Sequence, residues 1–149
     1  MTDTLNPWPT TRQGTKDHPV PTLQYLLLAH GHTVTVDGVF GPQTGEAVRA
    51  YQRTRGLTDD GVVGPDTWHA LLVEVAPGSR GNAVRGVQHR AGVTVEPDGE
   101  YGPRTQDAVR EVQAAVLASG TPIAVDGVIG PKTWQALIGG VSAPLSRAA

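Results

Sequence analysis

The side chains best suited to acid–base or metal chemistry in this sequence are five histidines, His18, His30, His32, His69 and His89, and fourteen carboxylates. Their spacing argues against both chemistries. His30-Gly31-His32 has neither the His-Glu-x-x-His step that sets two imidazoles on one helical face nor zinc-finger spacing, and it reads as a loop with two exposed imidazoles. The four serines, Ser79, Ser119, Ser142 and Ser146, stand in no Gly-x-Ser-x-Gly elbow. Asp59-Asp60, or Glu46 with Asp60, could imitate a glycosidase pair, but Asp60 is committed to a repeated turn. No cysteine occurs, which excludes disulfides, thiolate metal sites and a Cys nucleophile. The expectation is a chain without catalytic residues, cofactor or metal.

Two kinds of polar side chain remain as recognition chemistry. One is a set of amides, Gln24, Gln52, Gln88 and Gln113, each closing a Val-x-x-apolar-Gln step (Val20 to Gln24, Val48 to Gln52, Val84 to Gln88, Val109 to Gln113). The other is a set of arginines, Arg49, Arg53, Arg55, Arg104 and Arg110. Nucleic acid is not the expected partner, because the net charge is -2 and no basic stripe appears. No apolar run approaches the ~18 residues of a membrane span. Met1 to Gly14 lacks the charged and apolar regions of a signal peptide. The chain is therefore expected to stay inside the cell, or to leave by lysis, phage delivery or another route.

The elements that position these side chains follow from internal repetition. Asp37-Gly38-Val39-Phe40-Gly41-Pro42-Gln43-Thr44 returns as Asp60 to Thr67, Asp98 to Thr105 and Asp126 to Thr133, with Asp, Gly, Gly, Pro and Thr fixed each time. Each half runs Gln step, turn, Gln step, turn, and closes on Thr-Trp-x-Ala-Leu (Thr67 to Leu71, Thr133 to Leu137). Gln24 and Gln88 stand 64 residues apart, Asp37 and Asp98 61, and Asp60 and Asp126 66, so residues are lost before Asp98 and gained before Asp126, both expected in loops. Two copies of one small all-α unit result, over 8–74 and 75–140, with tails at 1–7 and 141–149. Helical periodicity predicts helices over 19–29, 42–55 and 65–73, then 82–91, 103–118 and 131–138. The fourth is the weakest, with Gly86 inside it and Ala91 where the first copy has Leu27.

Nineteen glycines and twelve prolines, about a fifth of the chain, serve this plan. In each turn Asp (Asp37, Asp60, Asp98, Asp126) can accept from backbone N–H groups just ahead, and the first Gly can take a positive φ. Pro falls at the first helical position, where its missing N–H costs nothing. The apolar residue between (Phe40, Val63, Tyr101, Ile129) plugs the core. The Gln of each step needs partners if buried: the backbone of a neighbouring turn is one reading, a polar groove the other. Units of about 60 residues without disulfides are marginal alone, so the copies are expected to pack on each other.

Gly78-Ser79-Arg80-Gly81-Asn82-Ala83-Val84, Gln88, the four turns and the closing Thr-Trp-x-Ala-Leu together resemble the type 1 peptidoglycan-binding domain of bacteria. The resemblance covers most of the chain as two tandem three-helix copies. Trp8-Pro9-Thr10, Gly14 and Val20 are similar to the family's opening, but Asp17, His18 and Pro19 stand where the second copy has Gly81, Asn82 and Ala83. It implies non-catalytic binding of peptidoglycan, by glycan strand or stem peptide, with a cell-wall hydrolase or other protein as a further partner and a cell-wall or extracellular location. The implied ligand contacts are amides for sugars and arginines for stem carboxylates: Gln24, Arg49, Gln52, Arg53, Gln88, Arg104, Arg110 and Gln113. A protein-interaction module reusing the fold, in the cytoplasm, a secretion system or a phage assembly, is the alternative. A weak hydrolase ranks third.

Overall fold

The computed structural model describes residues 5–90 and 98–140. Among these the chain is all-α: α1 (Val20–Ala29), α2 (Pro42–Thr54), α3 (Pro65–Leu71), α4 (Asn82–Arg90), α5 (Pro103–Ser119) and α6 (Pro131–Gly139), three helices in each copy. The shortening before Asp98, Ala91 and the 141–149 tail lie outside the described residues. No described helix is long and apolar enough to cross a membrane.

Four of the helices, α2, α3, α5 and α6, start on the Gly-Pro of a repeated turn, with the Gly extended as N-cap. The residues gained before Asp126 enter a helix rather than a loop. Helix α5 has 17 residues against 13 in α2, and it stops only where Gly120 takes the left-handed conformation. Helix α3 stops at Leu71, short of the expected Val73, because Leu72 turns extended and Val75 forms an antiparallel bridge with Ile129. Thr11 bridges Val63 in the same way, and the two tryptophans repeat the parallel: the Trp68 indole donates to Pro9 O at 2.8 Å and the Trp134 indole to Val73 O at 2.7 Å. Pro9 and Val73 are thus equivalent, and residues 72–74, expected at the end of the first copy, open the second.

The copies do pack on each other, chiefly α1 on α4. Gly86 of α4 lies in that contact, where a Cβ would meet Tyr25 Cβ at 3.4 Å and Thr22 Cγ2 at 3.8 Å, both ordinary van der Waals distances. Helix α1 buries Val20, Thr22, Leu23, Gln24, Leu26 and Leu27, more than one amphipathic stripe. The expected N-terminal tail is also engaged. Asn6 N donates to Gly140 O at 3.0 Å and Gln135 Nε2 to Asn6 O at 2.8 Å, while His18 Nε2 lies 2.6 Å from Ile138 O. Leu5 to Pro7 therefore strap the first copy to the end of α6.

One atom in this interface is poorly served. The Thr22 hydroxyl is buried and has no hydrogen-bond partner among the described residues. A buried hydroxyl left unpaired costs roughly 1–3 kcal/mol, part of which an isosteric methyl recovers. Thr22→Val should raise stability by about 1 kcal/mol, or roughly 2–4 °C in thermal midpoint. An unchanged or lower midpoint in calorimetry would mean that the hydroxyl is satisfied.

Candidate functional site

All four glutamines are buried, and each is bonded into the turn that follows it in the chain. Gln24 Nε2 lies 3.0 Å from Asp37 Oδ1, 3.2 Å from Val39 O and 3.2 Å from Thr44 Oγ1, and its Oε1 accepts from the N–H groups of Asp37 and Gly38, both at 3.1 Å. Gln52 repeats this with Asp60, Val62, Thr67 and Gly61 N, and Gln88 with Asp98, Glu100, Thr105 and Gly99 N. Gln113 does so with Asp126, Val128, Thr133 and the N–H groups of Asp126 and Gly127. Both ends of every amide are engaged inside the protein. These bonds favour the backbone reading for Gln24, Gln52, Gln88 and Gln113, while Gln52 and Gln113 also border a surface recess.

The aspartates complete the clamp. Oδ1 of Asp37, Asp60, Asp98 and Asp126 accepts both from the Gln amide and from the N–H two residues on, at 2.9–3.0 Å for the latter. The Gln24 amide, then the Val39 N–H, hold the Asp37 carboxyl below the usual carboxylate range; for Asp98 the Glu100 N–H leads and Gln88 follows. The turn glycines Gly38, Gly61, Gly99 and Gly127 sit at φ between +73° and +78°, where a Cβ would be strained. In the second copy the Tyr101 hydroxyl adds a bond to Gly127 O, and burial pushes its pKa up to about 12.

The histidines are spent on packing. His30 Nε2 donates to Leu71 O at 2.9 Å and its ring tilts over Tyr51, and His32 meets the same ring edge-on. Both are half-buried, not the exposed loop pair expected, because the Tyr51 ring gives them an apolar seat. His69 packs on Trp8 and His89 on Tyr25. Among the described residues no three His, Cys, Asp or Glu side chains converge to hold a metal.

The arginines lie at or near the surface. Arg49 pairs with Glu46 at 3.1 Å and lays its guanidinium over Gly61, 3.2 Å from where a Cβ would stand. Arg53 pairs with Asp59 at 2.9 Å, which holds that carboxyl below its usual range, and Arg55 lies over Tyr51. Arg104 and Arg110 are exposed. Arg85 was not among the sequence candidates, yet it covers Gly99 as Arg49 covers Gly61. The signal was available: Arg49, Arg85 and Arg110 each follow the Val of a Gln step.

Beside the last turn of each copy lies a recess of about 220 Å³. The same nine positions line both, among them Thr58, Asp60 and Asp66 in the first copy and Ala124, Asp126 and Lys132 in the second. The scaffold is identical and the rim charge opposite, Asp66 against Lys132. A recess of this shape, rimmed by backbone, carboxylate and one variable charge, suits hydroxyls, amides and carboxylates better than a large apolar ligand.

The family profile of the peptidoglycan binding domain matches residues 16–71 and 86–137. A probable N-acetylmuramoyl-L-alanine amidase of Bacillus licheniformis is 30% identical over 155 aligned residues, covering 82% of this chain and 42% of its own. The N-acetylmuramoyl-L-alanine amidase CwlM of Mycobacterium tuberculosis is 49% identical over 53 residues, 35% of this chain and 13% of that protein. A crystal structure of a peptidoglycan-binding protein from Clostridioides difficile, in complex with glutamine hydroxamate, is 36% identical and covers 42% of this chain and 40% of its own, at a TM-score of 0.42. The chain spans less than half the length of these curated relatives.

Proposed function

The chain belongs to the peptidoglycan binding domain family, and from that membership we propose that it is a non-catalytic module that holds on to the bacterial cell wall. Its two copies anchor or target it there, at the wall or outside the cell. The observation that carries the reading is the duplicated recess, built twice from the same nine positions at the same size. The amidase relatives are more than twice as long as the stretch they share with this chain.

Polymer stems carrying carboxylates would distinguish the recesses. Lys132 favours an anionic group and Asp66 repels it. Lys132→Glu should weaken co-sedimentation with purified sacculi and Asp66→Lys should strengthen it, each by roughly two- to five-fold, as for solvent-screened pairs. Both effects should fade at high salt. Absence of wild-type co-sedimentation at low salt would overturn the proposal. Recovery from lysate of one stoichiometric protein and no wall material would favour the protein-interaction alternative.

A further inference from the structure

The equivalence of Pro9 with Val73, fixed by the two indole hydrogen bonds, makes Trp8 the counterpart of Leu72. The two residues do not do the same job. Trp8 stacks on Trp68 with ring centroids 6.1 Å apart and closes that face of the first copy. Leu72 is smaller, and where it stands a recess of about 260 Å³ remains between the copies. Its floor is the buried Ile129 and Trp134, its walls are Leu72, Val73 and Pro131, and Glu74 and the exposed His69 stand at its rim. His69 comes from α3 of the first copy and the floor from the second, so neither copy makes this site alone. Contact with the Trp8 ring holds the His69 imidazole in place.

We propose that this seam recess binds one N-acetylated pyranose ring of a glycan strand, an inference that rests on the wall-binding reading. Its volume lies just under the ~300–1,000 Å³ of pockets for larger ligands, which suits a single ring. The apolar walls match the C–H face of a sugar and its acetyl methyl, and the Glu74 carboxylate accepts from hydroxyl or amide N–H donors. No lysine or arginine lines it, so it is a poor seat for the carboxylates of a stem peptide.

The test is titration of the full chain with peptide-free glycan oligomers and, separately, with free stem peptide. Leu72→Trp gives the second copy the residue that the first already carries, and should fill the recess. It is expected to lower glycan affinity about ten-fold, or more, without lowering the thermal midpoint. Glu74→Gln and His69→Ala, both at exposed positions, should each weaken glycan several-fold; they keep the test decisive if Leu72→Trp fails to fold. Unchanged glycan affinity in the folded variants overturns the inference. Wild-type protein that pellets with sacculi but ignores peptide-free glycan overturns it too, and leaves wall binding standing. If the wild type binds neither, both fall.

Discussion

Gln113→Leu should lower the thermal midpoint by roughly 10 °C or more, although leucine matches glutamine closely in size. Leucine fills the space but leaves the N–H groups of Asp126 and Gly127 without the Oε1 that accepts them at 3.1 Å and 2.9 Å. It also strips Thr133 Oγ1 and Val128 O of their amide donor. Each buried group left unpaired costs about 1–3 kcal/mol, so the clamp as a whole is worth roughly 3–6 kcal/mol, a large share of a total stability of ~5–15 kcal/mol. Gln113→Glu separates hydrogen bonding from packing. Ionised, it keeps the acceptor but sets a carboxylate against Asp126 Oδ1 and Val128 O, and burial beside that charge pushes its pKa up. A group with a raised folded pKa stabilises below its unfolded pKa and loses that contribution as pH rises through the folded one. The Glu variant should therefore regain stability toward acid relative to the Leu variant. A fall under about 2 °C for Leu, or parallel pH profiles for the two, would show the clamp to be incidental.

That clamp marks how far the sequence alone reaches. Repetition revealed the turns, the two copies and all six helix starts within a residue, because Gly-Pro and periodic apolar residues act locally. Burial of a glutamine is not local. Its period is that of the core, and its chemistry is equally that of a groove, so only the partners at Asp37, Val39 and Thr44 decide between the readings. Gly86 shows the same limit from the other side. Judged by propensity it weakens a helix, and its place against Tyr25 and Thr22 of another helix is visible only in the fold. The end of α3 departs from its periodicity for a related reason: Leu72 and Val73 continue the apolar pattern, but Val73 O accepts from the Trp134 indole of the second copy, 61 residues away.

The recesses were beyond reach for a further reason. Their linings join turn, loop and helix start, and five of the nine positions are the Gln, Asp, Gly, Pro and Thr of the repeat, whose fixed types the scaffold already explains. What the repeat does permit, once the hydrogen bonds set the register, is a comparison of one copy with the other. Asp66 against Lys132 and Trp8 against Leu72 are differences on a common scaffold, so each isolates one property, charge or volume, with the backbone held constant.

Trp134→Ala should cost about 3–5 kcal/mol, and so should Trp68→Ala. Both indoles are fully buried, and each also satisfies one carbonyl, Val73 O or Pro9 O, so Trp→Phe should retain most of the packing and lose about 1–2 kcal/mol for the orphaned carbonyl. The form of the transition tests more than its midpoint. Independent copies would melt separately, with Trp134→Ala unfolding only the second. Yet α1 packs on α4 with Gly86 against Tyr25, Asn6 and His18 of the first copy bond to the end of α6, and each copy is small enough to be marginal alone. Loss of one copy strips the buried face of α1 from the other. Either alanine variant should therefore shift one cooperative transition, with calorimetric and van't Hoff enthalpies equal, instead of splitting it in two. Two resolved transitions in Trp134→Ala would show the seam to be a loose contact, and a loss under 1 kcal/mol in either variant would place that indole outside the core.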